Sequence, residues 1–265
     1  MRPLIITFTT AAALAAGCLV AGCATPRQQP PAPLGSAAPN AVASSSSSAT
    51  PATPASGSAT NADLTGARFA AAVNTAINQA AALHLTGTVT AVSTPTTMDS
   101  YLNGNGTSSG TLGYMGATIP FRVVGGTDYF QLTPSLMALT KMTQTSAQGL
   151  WATPTSSVGD SLETIFSEFL TLKSFVKTQM NGVDATFTFV GLDQLGTQRV
   201  AVYHDTYQDQ LGGTGSVTFD IAATGSALPL KVSGSNSSVS SDMDMAWNHP
   251  TTVTAPPPSQ IYTGS

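Results

Sequence analysis

A chain of 265 residues in which only 8% of side chains are charged, with a formal net charge of −4, has neither the basic footprint that nucleic acid requires nor an acidic block for cationic partners. Nucleic acid is therefore not an expected partner. The surface must be solubilised by Thr, Ser, Asn, Gln and Gly, a usage that suits strands and turns better than exposed helices.

The chain opens as an export signal. Arg2 and the amino terminus supply positive charge, and Leu4 to Val20 form a largely apolar stretch without a charged side chain, too short for a membrane span and ending in small residues. The run Val20-Ala21-Gly22-Cys23 resembles the bacterial lipobox, in which the cysteine receives diacylglycerol and becomes the new amino terminus. The expectation is a signal peptide over 1–22, with Cys23 as the lipid anchor at the outer face of the cell membrane. A competing site, Ala15-Ala16-Gly17-Cys18, lacks the aliphatic residue three before the cysteine. An ordinary secretory signal cut elsewhere is a further alternative. With cleavage before Cys23 the mature protein has no disulfide, and its fold must rest on an apolar core.

From Ala24 to about Thr60 the sequence is Pro, Ala, Ser and Thr with almost no large apolar residue. Such a segment buries too little surface to offset its conformational entropy, so 23–60 reads as a lipidated cysteine followed by a stalk, a candidate for glycosylation at Ser or Thr, and 61–265 as one domain. A leader without a spacing role has the same composition.

Asp63 is a candidate cap for a helix in which Phe69, Val73, Ala76, Ile77, Ala80 and Leu83 recur at helical spacing. The period then changes. Leu85, Val89 and Ala91 alternate with Thr86, Thr88 and Thr90, and further strands are expected near Ser100 and over 109–115, 117–124 and 127–132, with Gly-Asn-Gly and Gly-Gly as breaks. Their short spacing predicts an antiparallel meander. Thr133-Pro134 opens a helical segment with Leu136, Leu139 and Met142, and Asp160-Ser161 a longer one reaching about Gln179. The apolar residues of the longer one, Leu162, Ile165, Phe166, Phe169, Leu170, Leu172, Phe175 and Val176, form a stripe wider than one packed face requires. After Gly182 period two returns in Phe187 and Phe189; Val200 and Val202; Val217, Phe219 and Ile221; Leu228, Leu230 and Val232; and Val239, Met243, Met245 and Trp247. The order helix, strands, helices, strands predicts an α+β domain with a large, curved antiparallel sheet packed on amphipathic helices.

Several segments are similar to the actinobacterial LppX/LprG-type lipoproteins, whose fold is LolA-like. They are Ala81-Ala82-Leu83-His84-Leu85-Thr86-Gly87-Thr88, Asp128-Tyr129-Phe130-Gln131-Leu132, Gly149-Leu150-Trp151, Ala227-Leu228-Pro229-Leu230-Lys231-Val232 and Val253-Thr254-Ala255-Pro256-Pro257. The resemblance covers most of the chain after Asp63 and implies a half-barrel sheet over helices, with an apolar cavity that carries the acyl chains of lipids through the cell envelope. Relatives of this fold can also serve as sensors or scaffolds.

One Gly-x-Ser-x-Gly match occurs, Gly106-Thr107-Ser108-Ser109-Gly110, but it precedes an expected strand rather than opening a helix as a nucleophile elbow does; no paired Cys-x-x-Cys or His-Glu-x-x-His pattern is present. His204 and Asp205, with Tyr207 and Asp209 following, are the best local group of titratable side chains, but neighbours on a strand face opposite ways. Asp242 and Asp244 share one face of the last strand; a calcium site is the sharper reading and a solvated outer face the plainer one. Neither enzyme activity, metal nor cofactor is expected. The candidate ligand-binding residues are apolar: Leu136, Leu139, Met142, Phe166, Phe169 and Leu170 opposite Val89, Phe121 and Val123, lining either a cavity for an acyl lipid or lipoglycan or a packed core. With a packed core, the same fold would be an interaction or sensory module for another envelope protein.

Overall fold

The computed structural model describes residues 60–91, 94–180, 183, 186–208 and 213–264; the signal sequence, Cys23 and the stalk as far as residue 59 lie outside them. Among the described residues the stretches of period two become eleven strands: β1 (Ala82–Ala91), β2 (Thr94–Asn103), β3 (Ser108–Tyr114), β4 (Ala117–Val124), β5 (Thr127–Gln131), β6 (Trp151–Ala152), β7 (Thr188–Leu195), β8 (Gln198–Gln208), β9 (Thr214–Ala222), β10 (Pro229–Ser235) and β11 (Val239–Trp247). They form one open sheet in the order β6-β5-β4-β3-β2-β1-β11-β10-β9-β8-β7. Two meanders, β1 to β6 and β7 to β11, thus meet where β1 pairs antiparallel with β11, from Leu83 opposite Trp247 to Ala91 opposite Val239. That joint needs a residue without a side chain. At Gly87 (φ +157°) a Cβ would stand 2.2 Å from the Asp242 carbonyl oxygen, so only glycine lets the two strands close.

Among the described residues four helices accompany the sheet: α1 (Gly66–Gln79), α2 (Pro134–Leu139), α3 (Ser157–Phe166) and α4 (Leu172–Gln179). The first starts after Thr65 rather than at Asp63, which belongs to a short 3-10 turn over Asn61–Asp63. It ends at Gln79, and Leu83 is a strand residue; its helical spacing from Ala76 and Ile77 is incidental, because Ala80 has already turned to an extended conformation. Thr133 caps α2, accepting a hydrogen bond from the Leu136 amide at 3.2 Å ahead of Pro134 in the first turn, as the sequence predicts. Met142 falls beyond that helix.

The expected long helix is two helices. Ser156 caps α3, and Thr171 caps α4 in a reciprocal arrangement with Ser174, each side chain accepting from the other's backbone amide. Between them, the Ser108 hydroxyl of β3 donates to the Leu170 carbonyl and ties the break to the sheet. The wide apolar stripe is accordingly the sum of two ordinary ones that share a bend.

The inner face of the sheet is apolar. On β11 the residues Val239, Ser241, Met243, Met245 and Trp247 are buried and those between them exposed. Inner-face residues of both meanders and the buried faces of α1 to α4 belong to one contiguous cluster. On β10 the alternation slips: the register shifts between Pro229 and Lys231, so Pro229 and Val232 are buried while Leu228 and Leu230 are only half-buried.

Candidate functional site

Six of the nine apolar candidates, Val89, Phe121, Val123, Leu136, Phe166 and Leu170, belong to the interior cluster, and Leu139, Met142 and Phe169 pack against it. Val89 stands near the end of β1, Phe121 and Val123 on the inner face of β4, Leu136 and Leu139 on α2, and Phe166 at the end of α3. Phe169 and Leu170 occupy the bend between α3 and α4, and Met142 the turn after α2. Leu139, Met142 and Phe169 are partly exposed; the other six are buried. Phe166 meets Tyr114 of β3 edge-on, with ring centres 5.6 Å apart. Burial there raises the Tyr114 hydroxyl above its ordinary pKa.

Two polar groups stand among these apolar ones. Ser100 on β2 is 1% exposed and Ser241 on β11 is 6% exposed, and neither hydroxyl has a hydrogen-bond partner among the described residues. Both sit at inner-face positions: Ser100 lies opposite Leu85, and Ser241 opposite Val89. Leaving a buried hydroxyl unpaired costs about 1–3 kcal/mol, so each marks a place where an oxygen-bearing group would be welcome.

At the far end of the sheet the interior is aromatic. Phe69 of α1 stacks on Tyr203 of β8 with ring centres 3.9 Å apart, and Phe187 lies 5.3 Å and Phe219 6.2 Å from the same ring. The Tyr203 hydroxyl donates to the carbonyls of Asn61 at 2.5 Å and Leu64 at 3.0 Å, which fixes the chain entering α1 against the sheet. Helical and strand periodicity marked these residues as core individually; that they form one stack depends on strand order, which no local pattern carries.

The outer face holds the charges. Asp242 pairs with Lys231 at 2.7 Å across β10 and β11, the solvated reading of that acidic pair. His204 shares a contact of 3.1 Å with the Thr218 hydroxyl on the neighbouring strand. Among the described residues no three His, Cys, Asp or Glu side chains are grouped as metal ligands would be. One arrangement was not foreseen: His84 Nε2 lies 2.8 Å from Asp99 and its ring stacks on Tyr101 at 4.0 Å. His84 and Asp99 are 15 residues apart in sequence, and only the β1–β2 register brings them together.

Asp128, on β5 beside α3, is pushed up to about 6, first by burial and then by the neighbouring Glu163 carboxylate. Its folded-state pKa lies above the ordinary carboxylate value, so the folded chain holds this proton more tightly than the unfolded one. Its contribution to stability is therefore greatest below about pH 4, falls as the pH rises to about 6 and is level above that. Urea midpoints measured at about pH 4.5 and pH 7 should show a smaller decline for Asp128→Asn than for the parent; equal declines would remove Asp128 as the cause. Glu168, in the bend before Leu170, is likewise raised by burial, and one of its carboxylate oxygens is buried without a partner among the described residues.

The chain is similar in structure to mycobacterial LppX and LprF. Lipoprotein LppX of Mycobacterium tuberculosis aligns over 70% of this chain and 96% of its own, at 16% identity and a TM-score of 0.48. LprF of Mycobacterium bovis aligns over 71% and 95%, at 15% identity and the same TM-score, 0.48. The Pseudomonas aeruginosa MucA/MucB complex aligns over 74% of this chain and 60% of its own, at 12% identity and a TM-score of 0.33. No family model and no curated protein sequence matches the chain. Among the described residues no helix is long and apolar enough to cross a membrane.

Proposed function

We propose that the chain is a cell-envelope lipoprotein, acylated at Cys23 and held at the outer face of the membrane by the stalk over 23–60, whose domain takes up an acyl lipid or lipoglycan between sheet and helices. The observation that supports this most is the reach of the apolar inner face. It extends across the sheet to β7, where Phe189, opposite Tyr203, and Leu192, opposite Ala201, are 42% and 43% exposed. An interior that continues into an accessible apolar edge suits a ligand that is itself a chain. Transfer of alkyl groups from water is worth roughly 0.8 kcal/mol per methylene, so such binding needs no sequence motif. Ester or hydroxyl oxygens of a glycerolipid would also meet the unpaired Ser100 and Ser241 hydroxyls.

Phe169 is the candidate whose change tests this best, because it is partly exposed at the α3–α4 bend and tolerates a polar replacement better than a fully buried ring. Phe169→Asp should reduce co-purifying lipid at least about tenfold, a loss of roughly 1.4 kcal/mol or more, with the secondary structure by circular dichroism retained. Unchanged lipid content would exclude Phe169 from the site. A second reading, a non-enzymatic interaction or sensory module with a filled core, is favoured by the division of the long helix into α3 and α4, which removes the excess apolar width. A lipid-free protein that captures one stoichiometric envelope partner is its expected signature.

A further inference from the structure

The two edges of the sheet are treated differently. At one end β6 is only two residues long, and its outer side is taken up by the chain terminus: Ile261 bridges Trp151, and the Tyr262 amide donates to the Trp151 carbonyl at 2.9 Å. At the other end β7 runs for eight residues, and among the described residues no strand pairs with its outer side. Long apolar edges are normally blunted by lysine, proline or a covering segment. The β7 sequence, Thr-Phe-Val-Gly-Leu-Asp-Gln-Leu, contains neither lysine nor proline and one charge, Asp193. Phe189, Val190 and Leu192 are 42%, 65% and 43% exposed, and Met115 at the β3–β4 turn is the one other large apolar side chain so exposed among the described residues.

The polypeptide enters the domain at this same corner. Thr60 bridges Thr224, and Thr60, Leu192, Thr197, Arg199 and Thr224 line a single hollow of about 380 Å³. The preceding segment therefore joins the domain next to the β7 edge rather than at the capped β6 edge. From this placement, and resting on the reading of Cys23 as a lipid anchor, we propose that the β7 edge seats on the bilayer. Phe189, Val190 and Leu192 enter the boundary between headgroups and acyl chains. Tethering makes this contact intramolecular, so a small apolar patch suffices that would not hold a free protein to a membrane. The patch carries no lysine, and its seating draws on apolar burial more than on anionic lipid. Because Phe189 and Leu192 also belong to the inner face, the seated edge forms a dry path from bilayer to interior.

The test uses the mature, lipidated chain reconstituted in vesicles of phosphatidylcholine and phosphatidylglycerol with brominated acyl chains, which quench tryptophan at bilayer depth. Val190→Trp is compared with Thr118→Trp, an exposed position on β4 near the opposite end of the sheet, each after subtraction of the parent emission. The expected result is quenching of Val190→Trp at least about twofold greater than that of Thr118→Trp, with a blue-shifted emission. Flotation with equal quenching at the two positions would overturn the seated edge while leaving the anchored carrier intact. A Val190→Trp emission already blue-shifted without vesicles, in a chain that sediments as a dimer, would overturn it in favour of strand pairing with a second copy. A chain that fails to float would overturn both the anchor and the proposal that rests on it.

Discussion

Phe69→Ala is expected to lower the unfolding free energy by about 3–5 kcal/mol, the range for removing a buried phenylalanine. Phe69 is fully buried. It is the one side chain of α1 in ring contact with β8, β9 and the segment entering β7, through Tyr203, Phe219 and Phe187. Truncation leaves a cavity between helix and sheet that the stacked Tyr203 cannot fill, because its hydroxyl is held by the Asn61 and Leu64 carbonyls. Since domains of this size have roughly 5–15 kcal/mol in total, the loss should be visible as a large shift of the urea midpoint. Phe69→Leu, which keeps most of the volume, should lose far less. Equal midpoints for Phe69→Ala and the parent would mean that α1 contributes little to holding the β7–β9 end.

Cys23→Ser is expected to move the chain from the membrane to the soluble fraction, a change of more than about a hundredfold in partition, because two or more acyl chains at roughly 0.8 kcal/mol per buried methylene are removed at once. Fractionation of cells carrying the parent, Cys18→Ser and Cys23→Ser decides the matter. Release by Cys23→Ser alone fits the aliphatic residue at Val20; release by Cys18→Ser alone would move the anchor to the competing site. Retention of all three would point to a secretory signal cut elsewhere, with the membrane reached by another route.

The class of fold is legible in the sequence, because period two survives wherever one face is buried and the other is wet. The last strand is the clearest case: Met243, Met245 and Trp247 alternate with Asp242, Asp244 and Ala246, and burial follows the alternation residue by residue. Breaks at Gly-Asn-Gly and Gly-Gly also fall where strands end. Three features were hidden for distinct physical reasons. The bend at Thr171 interrupts an apolar stripe that continues through it, since Leu170 and Leu172 are buried on both sides; its mark is a threonine cap with Ser174 in place of the commoner glutamate. The register slip at Pro229 turns Leu228 and Leu230 partly away from the core, and a bulge leaves no periodic trace. Phe189 reads as core by its alternation with Phe187, yet an edge strand has neighbours on one side only, and edge position is a property of strand order.

The candidate site was legible only as a composition. Sequence indicates which apolar residues face inward: six of the nine candidates lie in the buried cluster, and Leu139, Met142 and Phe169 pack against it. It is silent on the Ser100 and Ser241 hydroxyls, because these are inward-facing polar residues in strands otherwise rich in Thr and Ser, indistinguishable from their solvated neighbours until register is known. The His84–Asp99–Tyr101 group on the outer face was missed for the same reason.

The measurement that bears most directly on lipid carriage is native mass spectrometry of the Cys23→Ser chain, produced in a lipid-containing host so that the anchor contributes no acyl mass, followed by organic extraction and lipid analysis. An acyl lipid retained at near-unit stoichiometry is the predicted result, and its headgroup names the ligand class. A stable, lipid-free chain that also refuses added lipids would contradict the account and leave the filled-core interaction module as the function of this fold.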